Sequence, residues 1–311
     1  MWIETLKRRS WILILFLPMC VACSENNSPA QLVNIFGSKG SGEGQFKYVE
    51  DFAFDGQGHV LITDALNANV QVFDLDGRYV TEFAGTGDKN QHLKKPEGIA
   101  IDASGNIHVA DYLTGYIQKY SPGYEHLLTY SGFGPEPGHT LETEFMTFHP
   151  NGNLYVPEAG NSRISVFDAH GNFQFNFSHK GSKAGELLRP EAVKHNSKGL
   201  LYVADLGNHR IQVFDEGGTF LFTWGKEGKA PGEFRKPSGL AIDKDDNIYV
   251  AEIGNNRIQK FTEKGKFLYT FGKNGREPGE FGNIHGLAIS PMGELYVADT
   301  ANHRVQVFNV K

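Results

Sequence analysis

Cysteine is nearly absent. The 311 residues hold two, Cys20 and Cys23, so everything after residue 23 is without a disulfide and without a thiol for catalysis or metal ligation. Long apolar runs are missing as well. The longest, WILILFLPMCVA over residues 11–22, has twelve residues, short of the ~20 that a membrane-crossing helix needs. No segment after residue 30 repeats its apolar residues with the period of an amphipathic helix. Nor is there an excess of basic residues: 30 Lys and Arg stand against 36 Asp and Glu, a net charge of −6, which argues against a nucleic-acid surface. No Ser/His/Asp spacing and no phosphate-cradling glycine loop emerges, and the 37 glycines are accounted for by turns.

What is present is a repeat. Displacing the chain against itself by 47 residues brings Phe271 over Trp224, Phe177, Tyr130, Phe83 and Phe36. The same register aligns Asp299 with Glu252, Asp205, Glu158, Asp111 and Asp64, and Phe308 with Phe261, Phe214, Phe167, Tyr120 and Phe73. The copies run 36–82, 83–129, 130–176, 177–223, 224–270 and 271–311. In the second copy GIAID, NIHVAD, YIQKY and HLLTYSGF are apolar or alternating runs separated by ASG, LTG and SPGYE, which is the pattern of four short antiparallel strands. Four strands, six times over, predict an all-β six-bladed propeller. The last copy stops six residues short and lacks an outermost strand, while AQLVNI at 30–35 precedes the first. That strand is expected to complete blade six and close the ring, since an open ring leaves unpaired edges.

Lys7, Arg8 and Arg9 precede the apolar run, which ends in Ala22-Cys23. A basic start, a short apolar core and a small residue before the cut describe a secretory signal over 1–23. Cys20-Val21-Ala22-Cys23 resembles the bacterial lipobox, with Cys20 where Leu is typical. The resemblance implies lipid attachment at Cys23 and, with Ser24 rather than Asp following, the periplasmic side of the outer membrane if the source is Gram-negative. Simple cleavage or an uncleaved anchor are the alternatives. Loss of Lys7, Arg8, Arg9 and Glu4 leaves 27 basic and 35 acidic residues. SENNSP at 24–29 reads as a polar tether, and 30–311 as one domain.

The repeat motifs KPEGIAID with NIHVAD, LYVADLGNHRIQVF, KPSGLAIDKDDNIYVAEIGNNRIQKF and LYVADTANHRVQVF resemble the NHL family over residues 30–311. The resemblance implies the propeller fold. It implies less about activity, because such propellers serve as protein-binding, RNA-binding and sensor modules and, in a minority, as enzymes.

Antiparallel blades place the loops entering strand one, and those joining strands two and three, at one end of the ring, here called the top. The acid ending strand two occurs in every copy, and five residues later stand Asn69, Tyr116, Arg163, Arg210, Arg257 and Arg304. A residue repeated six times is scaffold, and the carboxylate is expected to hold the hairpin through the arginine. Copies one and two lack that arginine, so Asp64 and Asp111 are expected to be unpaired. The position opening strand one reads Glu50, Glu97, Glu144, Glu191, Ser238 and His285. Four carboxylates at the channel mouth raise one another's pKa or recruit a cation. They are either a solvated rim or a ligand site, for which Ca²⁺ suits hard oxygen donors. Glu97, Glu144, Glu191 and His285 are the candidate metal ligands. Lyases and lactonases of the broader superfamily hold a metal at this place, but their zinc sites use three histidines from different blades, whereas only His285 occupies a channel position here. His209 and His303 read as surface hydrogen-bonders. Tyr112 and Tyr116, with Phe133 of the divergent third entry loop, break the regularity and mark either packing or a partner surface.

The expectation is therefore a monomeric, lipid-anchored envelope propeller that is not an enzyme, needs no cofactor and binds a protein, peptide or glycan, not nucleic acid, through its top face. The alternative is a metal-dependent lyase or lactonase-type hydrolase at the channel mouth.

Overall fold

A computed structural model describes residues 29–85 and 93–311; the secretory signal, Cys23 and all but the last residue of the tether lie outside the described residues. Blade 1 is Val49–Phe54, His59–Asp64, Asn69–Asp74 and Tyr79–Phe83, counted outward from the axis. Blade 2 is Pro96–Ile101, Ile107–Asp111, Tyr116–Tyr120 and His126–Ser131, and blade 4 is Pro190–His195, Leu201–Asp205, Arg210–Phe214 and Phe220–Trp224. Blade 5 is Pro237–Ile242, Ile248–Glu252, Arg257–Phe261 and Phe267–Phe271. In blade 3 (Thr147–Phe148, Asn153–Glu158, Arg163–Asp168, Phe173–Phe177) the inner strand is short. There Phe145 leaves its own sheet and bonds to the neighbouring blade, its N–H donating to Glu191 O at 3.0 Å and its carbonyl accepting from Val193 N at 3.0 Å.

Blade 6 takes three strands from the C-terminus, Ile284–Ile289, Glu294–Asp299 and Arg304–Val310, and its fourth from the N-terminus, Ala30–Phe36. The pairing is antiparallel, from Ala30 opposite Val310 to Phe36 opposite Val305. The closing strand is one residue longer than the 30–35 read from the sequence, and no helix of the described residues is long and apolar enough to cross a membrane.

The core lies between blades, because each blade is apolar on both faces. Phe46, Val60, Ile62 and Phe73 of blade 1 pack on Tyr296, Ala298, Val305 and Val307 of blade 6. Tyr155, Tyr202 and Tyr296, equivalent and fully buried, use their hydroxyls to join blades, donating to Glu216 O at 2.7 Å, Glu263 O at 3.0 Å and Leu75 O at 3.1 Å. At the axis the inner strands come so close that a Cβ on Gly286 would lie 2.0 Å from Glu50 O, and one on Gly239 2.1 Å from His285 O. Side chains at these positions are excluded by backbone, not by flexible atoms.

Removing residues 1–36 strips blade 6 of its outer strand and bares the edge Arg304–Val310. The truncated protein is expected to form concentration-dependent oligomers, whereas the full chain elutes as a monomer in size-exclusion chromatography. A monomeric truncation with unchanged melting temperature would show that closure contributes nothing.

Candidate functional site

The site begins with the scaffold acid that ends strand two. Each is buried and accepts backbone N–H groups of the loop entering strand one: Asp64 from Lys47 and Tyr48, Asp111 from Lys94 and Lys95, Glu158 from Leu141, Asp205 from Leu188, Glu252 from Arg235 and Asp299 from Gly282. In four blades the arginine completes the brace, with Nε 2.6–2.8 Å from the carboxylate in Arg163–Glu158, Arg210–Asp205, Arg257–Glu252 and Arg304–Asp299. Asp64 and Asp111 were expected to lack a partner and do not. Asn67 Nδ2 donates to Asp64 at 2.6 Å, and the hydroxyl of Thr114 donates to Asp111 at 2.9 Å. Neither acid lines the cavity described below.

Immediately after the pinned loop residue come Tyr48, Lys95, Glu142, Arg189, Lys236 and Asn283, one per blade. These form a collar. Two residues further on, Glu50, Glu97, Glu144, Glu191, Ser238 and His285 form a floor. The strand register slips by one residue here, between Val49 and Phe52, Pro96 and Ile99, Pro190 and Ala192, Pro237 and Leu240, and Ile284 and Leu287. A bulge at the start of an inner strand turns its side chain away from the sheet faces and toward the axis. Five floor residues, all but Ser238, and four collar residues, Tyr48, Lys95, Arg189 and Lys236, line a cavity of ≈ 250 Å³ with Tyr112, Leu206 and Ile253.

The structure thus brings together Glu50, Glu97, Glu144, Glu191, His285 and Tyr112. Tyr116 is half exposed and stands outside this cavity, as does Phe133, the latter 61% exposed on the top rim. What sequence reasoning missed is the cationic part of the collar. Lys95 Nζ sits 2.5 Å from Glu97 Oε1 and 3.8 Å from the centroid of the Tyr112 ring, while Arg189 Nη1 donates to Glu142 Oε2 at 2.8 Å. The 47-residue register points to these residues as directly as to the glutamates, since they stand two places earlier in each copy. Asp51 and Lys194 also went unread. They occupy positions held by Gly, Ala, Phe or Thr in the other blades, and they face one another across the channel, blade 1 to blade 4, with Nζ 4.0 Å from Oδ2.

Burial dominates the electrostatics. Glu50 and Glu144 are pushed well above the usual carboxylate range, first by desolvation and then by Glu97 and Glu191 respectively. Glu191 rises to about 7, burial again leading, with His285 and Arg189 opposing and Glu97 and Glu50 reinforcing. Burial pulls His285 below its ordinary value despite the carboxylates around it. Its neutral tautomer follows from its neighbours: Asn283 Nδ2 donates to Nε2 at 3.0 Å, which leaves the proton on Nδ1, 2.9 Å from Glu50 Oε2. Glu50 Oε2 is nevertheless buried without a hydrogen-bond partner. Burial and Glu50 lift the Tyr48 hydroxyl to about 12. Among the described residues no three His, Cys, Asp or Glu side chains are arranged to hold a metal ion.

A carboxyl with a raised folded pKa contributes stability that is complete below ~4.5 and is lost as pH climbs through the folded value. For Glu191 that window runs from 4.5 to about 7, of order 3 kcal/mol. Glu191→Gln, which keeps the neutral form at every pH, is expected to melt several degrees higher than the wild type at pH 8 and within a degree of it at pH 4. Equal melting at both pH values would remove the strain assigned to this carboxylate.

The family described as NHL repeat matches residues 281–308 and the family described as 6-bladed beta-propeller matches 189–260. No curated protein matches the sequence. Among solved structures, a Bacteroides thetaiotaomicron VPI-5482 protein of unknown function superposes with a TM-score of 0.71 at 14% identity, over 91% of this chain and 76% of its own. An auxiliary nutrient binding protein from Bacteroides ovatus ATCC 8483 gives 0.68 at 14% identity, over 91% and 77%. Virginiamycin B lyase from Staphylococcus aureus gives 0.61 at 15% identity, over 91% and 100%. At such identities the likeness is one of fold. With four-stranded blades set six times about one axis, the chain is a six-bladed β-propeller, and its last blade matches the NHL repeat.

Proposed function

We propose that the chain is a non-catalytic binding module of the bacterial cell envelope, exported by its N-terminal segment, held through lipid on Cys23, and engaging a protein, peptide or glycan component through its top face. The observation that carries the reading is the cavity itself, an open concavity at the channel mouth lined by both buried carboxyls and cations. Concave sites with a few convergent polar groups are where small ligands and chain ends bind. The residues do not fit the metal-dependent alternative, because Glu97 is committed to Lys95 and no set of three metal-ligating side chains converges among the described residues. One observation favours a lyase or lactonase-type hydrolase as the second reading: Glu191, with its pKa near 7, has the titration range of a general acid or base.

The two readings separate in one experiment. Peptides and glycans released from a bacterial envelope are passed over immobilised wild-type chain and over a Glu144→Gln/Lys236→Glu variant. The binding reading expects species retained unchanged by the wild type and not by the variant. Consumption of a species with appearance of a cleaved product would replace it with the enzymatic reading. In addition, melting is expected to be indifferent to micromolar Ca²⁺, Zn²⁺ or Mn²⁺ and to chelator. A rise of several degrees, lost in Glu97→Gln, would establish a metal site.

A further inference from the structure

Three features of the cavity bear on what it accepts, given that it is a binding site. The first is an unmet demand for donors at the floor. Glu50 is 1% exposed and its Oε2 has no hydrogen-bond donor, a condition that costs a buried acceptor its desolvation energy unless a ligand supplies the hydrogen. Glu144 and Glu191, also buried, are in no salt bridge among the described residues, and neither is the exposed Lys236. Carboxyls outside any salt bridge therefore lie at the bottom, and a lysine outside any salt bridge lies at the rim. The second feature is their placement. Lys236 belongs to the blade next to that of Glu191, two positions up the repeat toward the opening, so the opposite charges are offset along the axis on one side of the ring. The third is the wall, where Leu206 and Ile253 stand beside the Glu191–Lys236 side and Tyr48 and Tyr112 stand opposite. At ≈ 250 Å³ the space falls below the ~300–1,000 Å³ of drug-sized sites.

An ammonium group carries three donors and no acceptor, which answers the floor. A carboxylate answers Lys236. A neutral sugar supplies hydroxyl donors but brings no counter-charge to the rim lysine, and an inorganic cation finds no converging ligand set. We infer that the cavity receives a compact zwitterion of amino-acid to dipeptide size, its ammonium seated among Glu50, Glu144 and Glu191, its carboxylate at Lys236 and its side chain against Leu206 and Ile253. This rests on the binding reading and gives it a ligand class.

Proton release accompanies binding. Seating a cation beside Glu191 favours its ionised form, and Glu50, Glu97, Glu144, Asp51, Asp64, Lys95, Arg189, Tyr48 and His285 are the charged and titratable groups around it. Release of the Glu191 proton alone, from a group at about 7, makes affinity rise roughly 20-fold between pH 5.5 and 7.5, and protons leaving Glu50 and Glu144 add to the rise.

Isothermal titration of the full chain with L-leucine, glycyl-leucine, N-acetyl-glycyl-leucine and glycyl-leucine amide tests this. Expected are binding of leucine or glycyl-leucine at pH 7.5, weaker by about 20-fold or more at pH 5.5, with a heat that changes with the ionisation enthalpy of the buffer. N-acetylation abolishes binding and amidation weakens it at least tenfold. Glu191→Gln reduces the pH dependence, and Lys236→Met, an exposed change that leaves melting unaltered, erases the difference between acid and amide. Equal binding of the N-acetyl compound, a pH-independent affinity in the wild type, or no binding of either zwitterion would overturn the inference. If the zwitterions fail while envelope species are still retained by the wild type and not by Glu144→Gln/Lys236→Glu, only the ligand class falls. If both fail, the binding reading falls with it.

Discussion

A buried carboxylate at the end of the second strand holds this molecule in register. It is repeated in all six blades, it is 0–1% exposed, and it bonds at once to the entry loop of its own blade and to the side chain that braces the following hairpin. A charge taken that far from water is tolerated only when its lone pairs are filled. The fold fills them with backbone N–H groups and an Asn three residues on, or Thr114 in blade 2, and adds an Arg in blades 3 to 6. Removing one partner would strand the charge, at a cost of about 3–5 kcal/mol. Because the pinned N–H groups adjoin the collar residue, the same interaction that stabilises each blade aims Tyr48, Lys95, Arg189 and Lys236 at the axis.

Scaffold and site are thus separate levels of one repeat. The braces are alike in every blade, while the positions one and three places after the pinned loop residue are free to differ, and they converge because six blades share an axis. The bulge opening each inner strand makes that convergence possible by turning one side chain out of the alternation of the sheet. Concentrating four carboxyls there is unfavourable for their ionised forms, and the excess is only partly offset by Lys95, Arg189 and Lys236. Elsewhere along the axis Asp51 and Lys194 face one another across the channel.

Much of this was legible from a periodicity. The repeat of 47 residues specifies six equivalent units; the alternation of apolar and polar residues specifies strands; the missing outer strand at one end and the spare strand at the other specify how the ring closes. That Glu50, Glu97, Glu144, Glu191 and His285 meet followed from their shared register on a closed ring. Asp64 and Asp111 misled because a missing Arg says nothing of the N–H groups that a loop can offer instead. Tyr116 was drawn toward the site by irregularity alone, yet its register position faces outward, whereas Tyr112 of the same turn faces in.

The sequence by itself therefore determined the architecture and which residues stand at one level of it, since strand propensity and repeat length are local properties of the chain. Only the tertiary structure decided the chemistry. Which acids are satisfied, which are buried without a donor, and which lysine is left unpaired depend on distances between blades: Lys95 to Glu97, His285 to Glu50, Lys194 to Asp51 across the full width of the channel. Desolvation and charge–charge interaction vary with depth and separation in space, and a linear register carries neither.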